Sequence, residues 1–190
     1  MPSDTRIKMI DATVEALQRR GVAGMSFTDV LQTSGAARGA IYHHFPGGKT
    51  QIVTEAAARN GRDVRARLAV LPADRASAVV EAFLSAVRPV IAESAAGGGC
   101  AVAAIAMAAG AGPEDRLRDV AATAFASWIG QLGERLGAAG LPRAEAVDLA
   151  AVLVALLEGA HVLCRAAGSL QPFDQAARMA IALTRSRYPA

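Results

Sequence analysis

Residues 35–50 read GAARGAIYHHFPGGKT, and this stretch decides the fold of the chain. Gly35 follows a short apolar segment, and a Pro-Gly-Gly sequence precedes a long one, so both ends predict breaks between helices. Between these breaks, Ile41 and Phe45 lie four residues apart, which places them on one face of a short helix. We therefore predict a helix over 37–44 that turns Ile41 and Phe45 towards the core.

A second short helix is predicted just before this stretch. Ser26-Phe27-Thr28-Asp29 matches the capping box S-x-x-[DE], in which the serine oxygen accepts from a first-turn N–H and the acid reaches back. The helix should begin at Phe27 and end near Ser34-Gly35. Two short helices joined by a tight turn have the dimensions of a helix-turn-helix.

The remaining sequence also predicts helices, because almost no segment alternates with period two and β-branched residues are few. The fold class is therefore all-α, with an N-terminal three-helix helix-turn-helix domain, a C-terminal antiparallel helical domain and about nine helices in total. The domains are predicted at 1–48 for DNA binding, 49–71 for a connecting helix, and 72–190 for ligand sensing and dimerisation. Outside the helix-turn-helix pair, the predicted helices are 5–20, 49–71, 75–94, 100–109, 114–138, 143–167 and 172–187.

The distribution of charge favours an N-terminal part that binds a polyanion, followed by a near-neutral C-terminal part. Residues 1–70 carry ten Lys and Arg against six Asp and Glu, a net charge of +4, whereas residues 71–190 carry a net charge of −1. No basic and apolar leader opens the chain, and the uncharged run at 94–113 consists mostly of Ala and Gly. We expect a cytoplasmic protein with no membrane partner.

Two other chemistries for the opening stretch fail on spacing. His43 and His44 are adjacent, so on a helix their side chains point about 100° apart and do not bind one ion together. Gly48-Lys49-Thr50 matches the end of a nucleotide-binding loop, but His43 occupies the position of the leading glycine. Cys100 and Cys164 lie far apart with no zinc-binding pattern. We expect no metal, no cofactor and no enzymatic activity.

The outward side of the 37–44 helix can bind DNA instead. Arg38 can donate to a guanine edge or a phosphate, Gly39 permits close approach of the backbone, and Tyr42 and His43 can donate to phosphates. At the start of the next helix, free N–H groups at Gly48 and Lys49 and the lysine ammonium would form an anion site.

These linked features, over residues 5–50, resemble the DNA-binding domain of the TetR family of transcriptional regulators. The resemblance comprises an amphipathic first helix, SFTDVL, GAARGAIYHHF and a lysine that opens the fourth helix. More narrowly, HHFPGGK and GCAVAAIA at 99–106 resemble the lincomycin-resistance regulator (LmrA/YxaF-like) branch. The resemblance implies phosphate contacts from Thr28, Tyr42, His44 and Lys49, and groove contacts from Arg38, Gly39, Ala40 and His43. Ala37 departs from the family pattern, which has a Ser or Thr cap there.

The resemblance also implies a repressor that binds a palindromic operator in double-stranded DNA as a homodimer. Two of the C-terminal helices carry small residues at steps of three and four. This spacing favours packing of these helices against the same two helices of a second subunit, as a dimeric four-helix bundle. The same stripes of small residues also suit packing inside one subunit. The candidate interface residues are Gly130, Gly133, Gly137, Ala151, Ala155, Leu156, Gly159 and Leu163.

Large apolar side chains in the C-terminal part suit a pocket for a small hydrophobic or cationic inducer of unknown identity, with two polar anchors. An ordinary core explains the same apolar residues. The candidate ligand-binding residues are Phe83, Val87, Ile91, Met107, Phe125, Trp128, Ile129, Glu158 and His161. The alternative function is an all-α protein-interaction module or small-molecule-binding protein without DNA binding.

Overall fold

The structure is a computed structural model that describes residues 4–110 and 115–189. Within these ranges the chain forms helices and no strands, so the all-α prediction is confirmed. The helices are α1 Asp4–Gly24, α2 Phe27–Ser34, α3 Ala40–His44, α4 Gly48–Ala69, α5 Ala76–Ala95, α6 Ala101–Ala108, α7 Arg116–Ala138, α8 Arg143–Ala167 and α9 Gln171–Arg187.

Most helix bounds agree with the predicted ones to within one or two residues. The first helix differs because α1 continues to Gly24, although Gly21 has non-helical angles (φ 67°, ψ −175°) and kinks it at the predicted stop. Residue 114, the predicted start of the seventh helix, lies outside the described residues. Gly35 ends α2 in the left-handed conformation (φ 67°), which glycine adopts at low cost, and its N–H donates to the Leu31 carbonyl.

The recognition segment, residues 37–44, is less helical than predicted. Only Ala40–His44 forms an α-helix, so the predicted start at Ala37 is wrong. A turn precedes α3, in which the Ala40 N–H donates to the Ala37 carbonyl at 2.9 Å. The methyl of Ala37 offers no oxygen to the first-turn N–H groups, and Gly39 at the N-cap provides no side-chain hydrogen bond either.

The described residues group into two compact units. The first combines residues within Met1–Arg62 and Cys100–Ala124, where α2 and α6 both pack against α1. The second combines residues within Asp63–Gly99 and Phe125–Ala190, where α5, α8 and α9 pack against one another. Packing units need not coincide with folding domains, so the domain bounds 1–48, 49–71 and 72–190 stay a prediction.

Among the described helices, α8 is long and apolar enough to cross a membrane by length and composition, with a mean hydropathy of 1.9 over 18 residues. Core helices of soluble proteins meet the same criterion. The buried residues of α8 recur at steps of three and four, as expected for a helix with one face in a helical core. They are Ala146, Ala150, Leu153, Val154, Leu157, Ala160, His161 and Cys164.

Candidate nucleic-acid interface

The start of α2 is fixed by the predicted capping residues. Ser26 is the N-cap, and its Oγ accepts from the Asp29 N–H at 3.1 Å. A hydrogen bond with the Ser26 side chain, together with contact to the Arg20 guanidinium, keeps the pKa of the Asp29 carboxyl below its ordinary value. Arg20 lies on α1, so this ion pair also joins α1 to α2. Thr28 is exposed in the first turn of α2.

The recognition segment divides into an inward and an outward side. Ile41 and the adjoining Phe45 are buried, as their spacing predicts. Tyr42 is 66% exposed, and its ring meets that of Phe27 edge-on with centroids 6.0 Å apart. The ring is therefore restrained while most of its surface faces solvent.

The other candidate DNA-binding residues of this segment differ in exposure. Arg38 and Gly39 are exposed and lie in the turn before α3, and Ala40 is half-buried at the first helical position. Among the described residues, no hydrogen bond or ion pair involves the Arg38 side chain. His43 is exposed and His44 is half-buried, with ring centroids 4.9 Å apart.

The start of α4 differs from its predicted form as an anion site. The Gly48 N–H donates to the Phe45 carbonyl at 2.9 Å, so the prediction of a free N–H at Gly48 is wrong. The Gly47 N–H donates to Gln51 Oε1 at 2.7 Å. Lys49 donates from Nζ to the Met25 carbonyl at 2.8 Å. The tight turn through Gly48 (φ 66°), which glycine adopts readily, allows the Phe45 bond.

Sequence analysis missed a chain of side chains that joins α4 to α1. Gln51 Nε2 donates to Glu55 Oε1 at 3.0 Å, and Glu55 forms an ion pair with Arg6 on α1. The Arg6 guanidinium carbon also lies 4.9 Å from the centroid of the Phe45 ring. The four-residue spacing of Gln51 and Glu55 was a visible signal. No sequence pattern indicated that Arg6 would pair with Glu55, 49 positions away.

The candidate ligand-binding residues fall into both units. Met107, on α6 in the first unit, is 86% exposed. In the second unit, Phe125 and Trp128 meet edge-on with centroids 5.2 Å apart. Of the remaining apolar candidates, all in the second unit, Phe83 and Ile91 are buried and Val87 and Ile129 are half-buried.

The two polar candidates lie together inside the second unit. His161 Nδ1 lies 2.6 Å from Ser94 Oγ, and Ser94 Oγ donates to the Val90 carbonyl at 3.2 Å. Burial lowers the pKa of His161 to about 4, so its imidazole is neutral at pH 7. Both carboxylate oxygens of Glu158 are buried, and one lies within 4.8 Å of a His161 ring nitrogen.

The candidate dimer residues divide between internal packing and exposed positions. Gly133 is buried, and a Cβ added there would meet Val147 Cγ2 at 3.6 Å, so it packs within its own unit. Leu163 and Ala155 are exposed, as are Gly130 and Gly137. Ala151, Leu156 and Gly159 are half-buried.

Large apolar residues are also exposed on α8 and α9 of the second unit. We define the apolar face as the exposed large apolar residues of α8 and α9, namely Val147, Val152, Val162, Leu163, Met179 and Leu183. The two α9 members, four residues apart, were a visible signal of one helix face.

Comparison with known proteins gives concordant results. Residues 9–56 match the family described as bacterial regulatory proteins, tetR family, and residues 76–179 match the LmrA/YxaF-like transcriptional regulator C-terminal domain. The chain is 33% identical over 174 residues to the HTH-type transcriptional regulator Rv0196 of Mycobacterium tuberculosis, covering 89% of this chain and 88% of that one. It is 27% identical to the HTH-type transcriptional regulator LmrA of Bacillus subtilis, covering 89% and 90%.

The fold is likewise shared with solved structures. A TetR transcriptional regulator from Legionella pneumophila superposes with a TM-score of 0.81 at 20% identity, covering 96% of this chain and 98% of that one.

Proposed function

Because this chain belongs to the TetR family of transcriptional regulators, in the LmrA/YxaF-like branch, we propose that it is a homodimeric repressor released from a palindromic operator by a small ligand. Members of this family bind DNA and act as dimers. We expect it to work in the cytoplasm, without a catalytic step.

The observation that carries the DNA-binding proposal is the two-sided recognition segment. Ile41 and Phe45 anchor it in the first unit, while polar groups lie on the exposed side. In this proposal the groove contacts come from Arg38, Gly39, Ala40 and His43, and the phosphate contacts from Thr28, Tyr42 and His44. The exposed guanidinium of Arg38 suits a bidentate contact with guanine, the commonest specific contact in the major groove.

A palindromic site requires two copies of the recognition segment, and the apolar face supports the proposed dimer. Monomeric soluble proteins rarely expose extended apolar patches, whereas subunit interfaces bury them. A bundle of α8 and α9 from two subunits would cover Val152, Val162, Leu163, Met179 and Leu183. Among the candidate interface residues, Ala155, Gly159 and Leu163 lie along α8 and suit such packing.

The interior of the second unit supports the ligand proposal. Phe125 and Trp128 offer aromatic surface, and Glu158 with neutral His161 offers hydrogen-bond acceptors, which suit a flat apolar ligand carrying a cation or donor. Such a ligand releases DNA only if it binds the DNA-free conformation more tightly than the DNA-bound one.

Binding to DNA from upstream of the protein's own gene tests the proposal. Fluorescence anisotropy should show that the logarithm of affinity falls linearly with the logarithm of salt concentration, by about 0.9 per phosphate contacted. An unrelated duplex of equal length should bind more weakly at every salt concentration. Binding that does not change with salt, or that does not distinguish the two duplexes, would contradict the proposed function.

A further inference from the structure

We propose that Lys49 is a positioning residue, which fixes α4 to the loop between α1 and α2, and that it is not the phosphate contact that the family resemblance implies. This proposal rests on the proposed DNA binding. It assigns the lysine a role inside the folded chain, on which the placement of the recognition segment depends.

The Lys49 ammonium already makes a hydrogen bond inside the folded chain. Lys49 Nζ donates to the Met25 carbonyl at 2.8 Å, across 24 positions of sequence. Met25 is buried and directly precedes Ser26, the N-cap of α2. A hydrogen bond from a charged donor is stronger than one between neutral groups, so it fixes the backbone next to the residue that starts the helix-turn-helix.

Neighbouring N–H donors at the start of α4 are also engaged in hydrogen bonds. The Gly47 N–H donates to Gln51 Oε1 and the Gly48 N–H to the Phe45 carbonyl. A phosphate bound through the Gly48 N–H, as the sequence predicted, would have to replace its hydrogen bond to the Phe45 carbonyl, and a phosphate at Lys49 Nζ would share the ammonium with the Met25 carbonyl. The additional glycine of Pro46-Gly47-Gly48 permits this arrangement, because Gly48 adopts a positive φ of 66°.

Lys49 also links α4 to a segment that the ion pairs between α4 and α1 do not reach. Six residues further along, Glu55 pairs with Arg6 on α1, and Arg6 contacts the Phe45 ring that adjoins the recognition segment. Arg59 on α4 likewise pairs with Asp11 on α1 at 3.2 Å. These ion pairs form one attachment, between α4 and α1, and the Lys49 bond forms a second, between α4 and the loop that leads into α2. Without the second attachment, α2 and the recognition segment lose a constraint on their orientation relative to α4.

The two roles of Lys49 predict different salt dependence. Lys49→Met keeps most of the apolar stem and removes the donor and the charge. If Lys49 positions α2, affinity for the upstream duplex should fall about tenfold, the loss of one hydrogen bond to a charged group, with the salt slope unchanged. If Lys49 contacts a phosphate, the slope should become shallower by about one, and that result would overturn the proposal.

The chain provides a matched control in its other lysine. Lys8 is exposed on α1 in the same unit and pairs with Asp4 at 2.6 Å. Lys8→Met removes the same side-chain charge without touching the start of α2. It should leave both affinity and slope at wild-type values, which separates the positional effect from the change of net charge.

A measurement without DNA tests the attachment independently of the proposed function. Hydrogen exchange of the amides at 26–31 should be faster in Lys49→Met and return towards the wild-type rate in Lys49→Arg, which keeps a charged donor. Unchanged exchange in Lys49→Met would refute the positioning role. If the wild-type protein binds no DNA, the proposed function fails, while the exchange result still decides whether Lys49 orders the start of α2.

Discussion

Arg38 and Tyr42 lie on the exposed side of the recognition segment, yet the folded chain restrains them differently. Tyr42 contacts Phe27 edge-on, whereas no described residue forms a hydrogen bond or ion pair with the Arg38 side chain. The Arg38 guanidinium, which no such contact holds, can turn to fit a base edge, but the side chain loses rotamer freedom when it binds. The restrained Tyr42 side chain loses less rotamer freedom on binding. Its hydroxyl can donate to a phosphate, which is the same group at every base pair.

Substitution of these two residues should therefore separate specificity from general affinity. Arg38→Ala should reduce the preference for the operator over an unrelated duplex, by about 1 to 3 kcal/mol for a lost bidentate base contact. Tyr42→Phe keeps the ring and should weaken binding to both duplexes equally, by about 0.5 to 1.5 kcal/mol. Anisotropy titrations on both duplexes measure this. Equal loss of affinity on both duplexes in Arg38→Ala would contradict its groove contact.

At the same scale, His161 predicts a pH dependence of stability. Its pKa falls from about 6.5 in the unfolded chain to about 4 in the folded one, because burial disfavours the charged ring. The unfolded state therefore binds the proton more readily, and stability should decrease as pH falls from 6.5 to 4 and stay constant above 6.5. The shift corresponds to a loss on the order of 3 kcal/mol.

Urea denaturation at pH 4.5 and pH 7 measures this effect. His161→Leu should lose part of the acid sensitivity that the wild type shows, because Ser94 and Glu158 then face a side chain that binds no proton. His43→Leu, on an exposed ring, is the matched control and should keep the wild-type dependence. Identical pH dependence in His161→Leu and wild type would show that the buried ring is not responsible.

At the scale of elements, α2 and α3 show how one capping oxygen changes a helix. Ser26 caps α2, which starts at the predicted residue, whereas Ala37 cannot cap the recognition segment and α3 starts three residues late. The capping serine and the missing hydroxyl at Ala37 were both visible in the sequence, yet the recognition helix was predicted to start at Ala37. The length of the resulting turn depended on the competing bond between Ala40 and Ala37, which no sequence pattern specified.

Restoring the cap should extend this element. Ala37→Ser should stabilise the first unit by about 0.5 to 2 kcal/mol and slow hydrogen exchange at 39–41, because a serine oxygen can accept from those amides. Ala36→Ser is the control, since the Ala36 N–H already donates to the Leu31 carbonyl. Exchange rates that are equal in the two variants would mean that a cap does not limit α3.

At the scale of the whole molecule, a single chain leaves uncovered the apolar face that the proposed dimer would bury. The apolar face exposes Val162 and Leu163 on α8 and Met179 and Leu183 on α9 within one unit. The sequence indicated α8 through its small residues but paired it with α7. Gly133 on α7 is buried against Val147 within its own unit, and a role of α7 in the dimer stays a prediction.

A charge placed on this face should separate the subunits. Leu163 is 56% exposed, so Leu163→Arg adds a charge without entering the core, and burying an unpaired charge in an interface is costly. Sedimentation should show a dimer for the wild type and a monomer for this variant, with weakened operator binding. Val70→Arg, at a residue 82% exposed outside the face, should remain dimeric. A dimeric Leu163→Arg would place the interface elsewhere.

The sequence by itself determined the helices, the buried pair Ile41 and Phe45, the N-cap at Ser26 and the left-handed stop at Gly35. These features depend on periodicity, capping and backbone angles, which act over a few neighbouring residues. Only the tertiary structure decided the partner of Lys49, the attachment of Arg6 to Glu55, the burial of His161 and the exposure of Leu163 and Met179. Those depend on contacts between residues far apart in sequence, and a side chain's spacing does not specify which distant group it will meet.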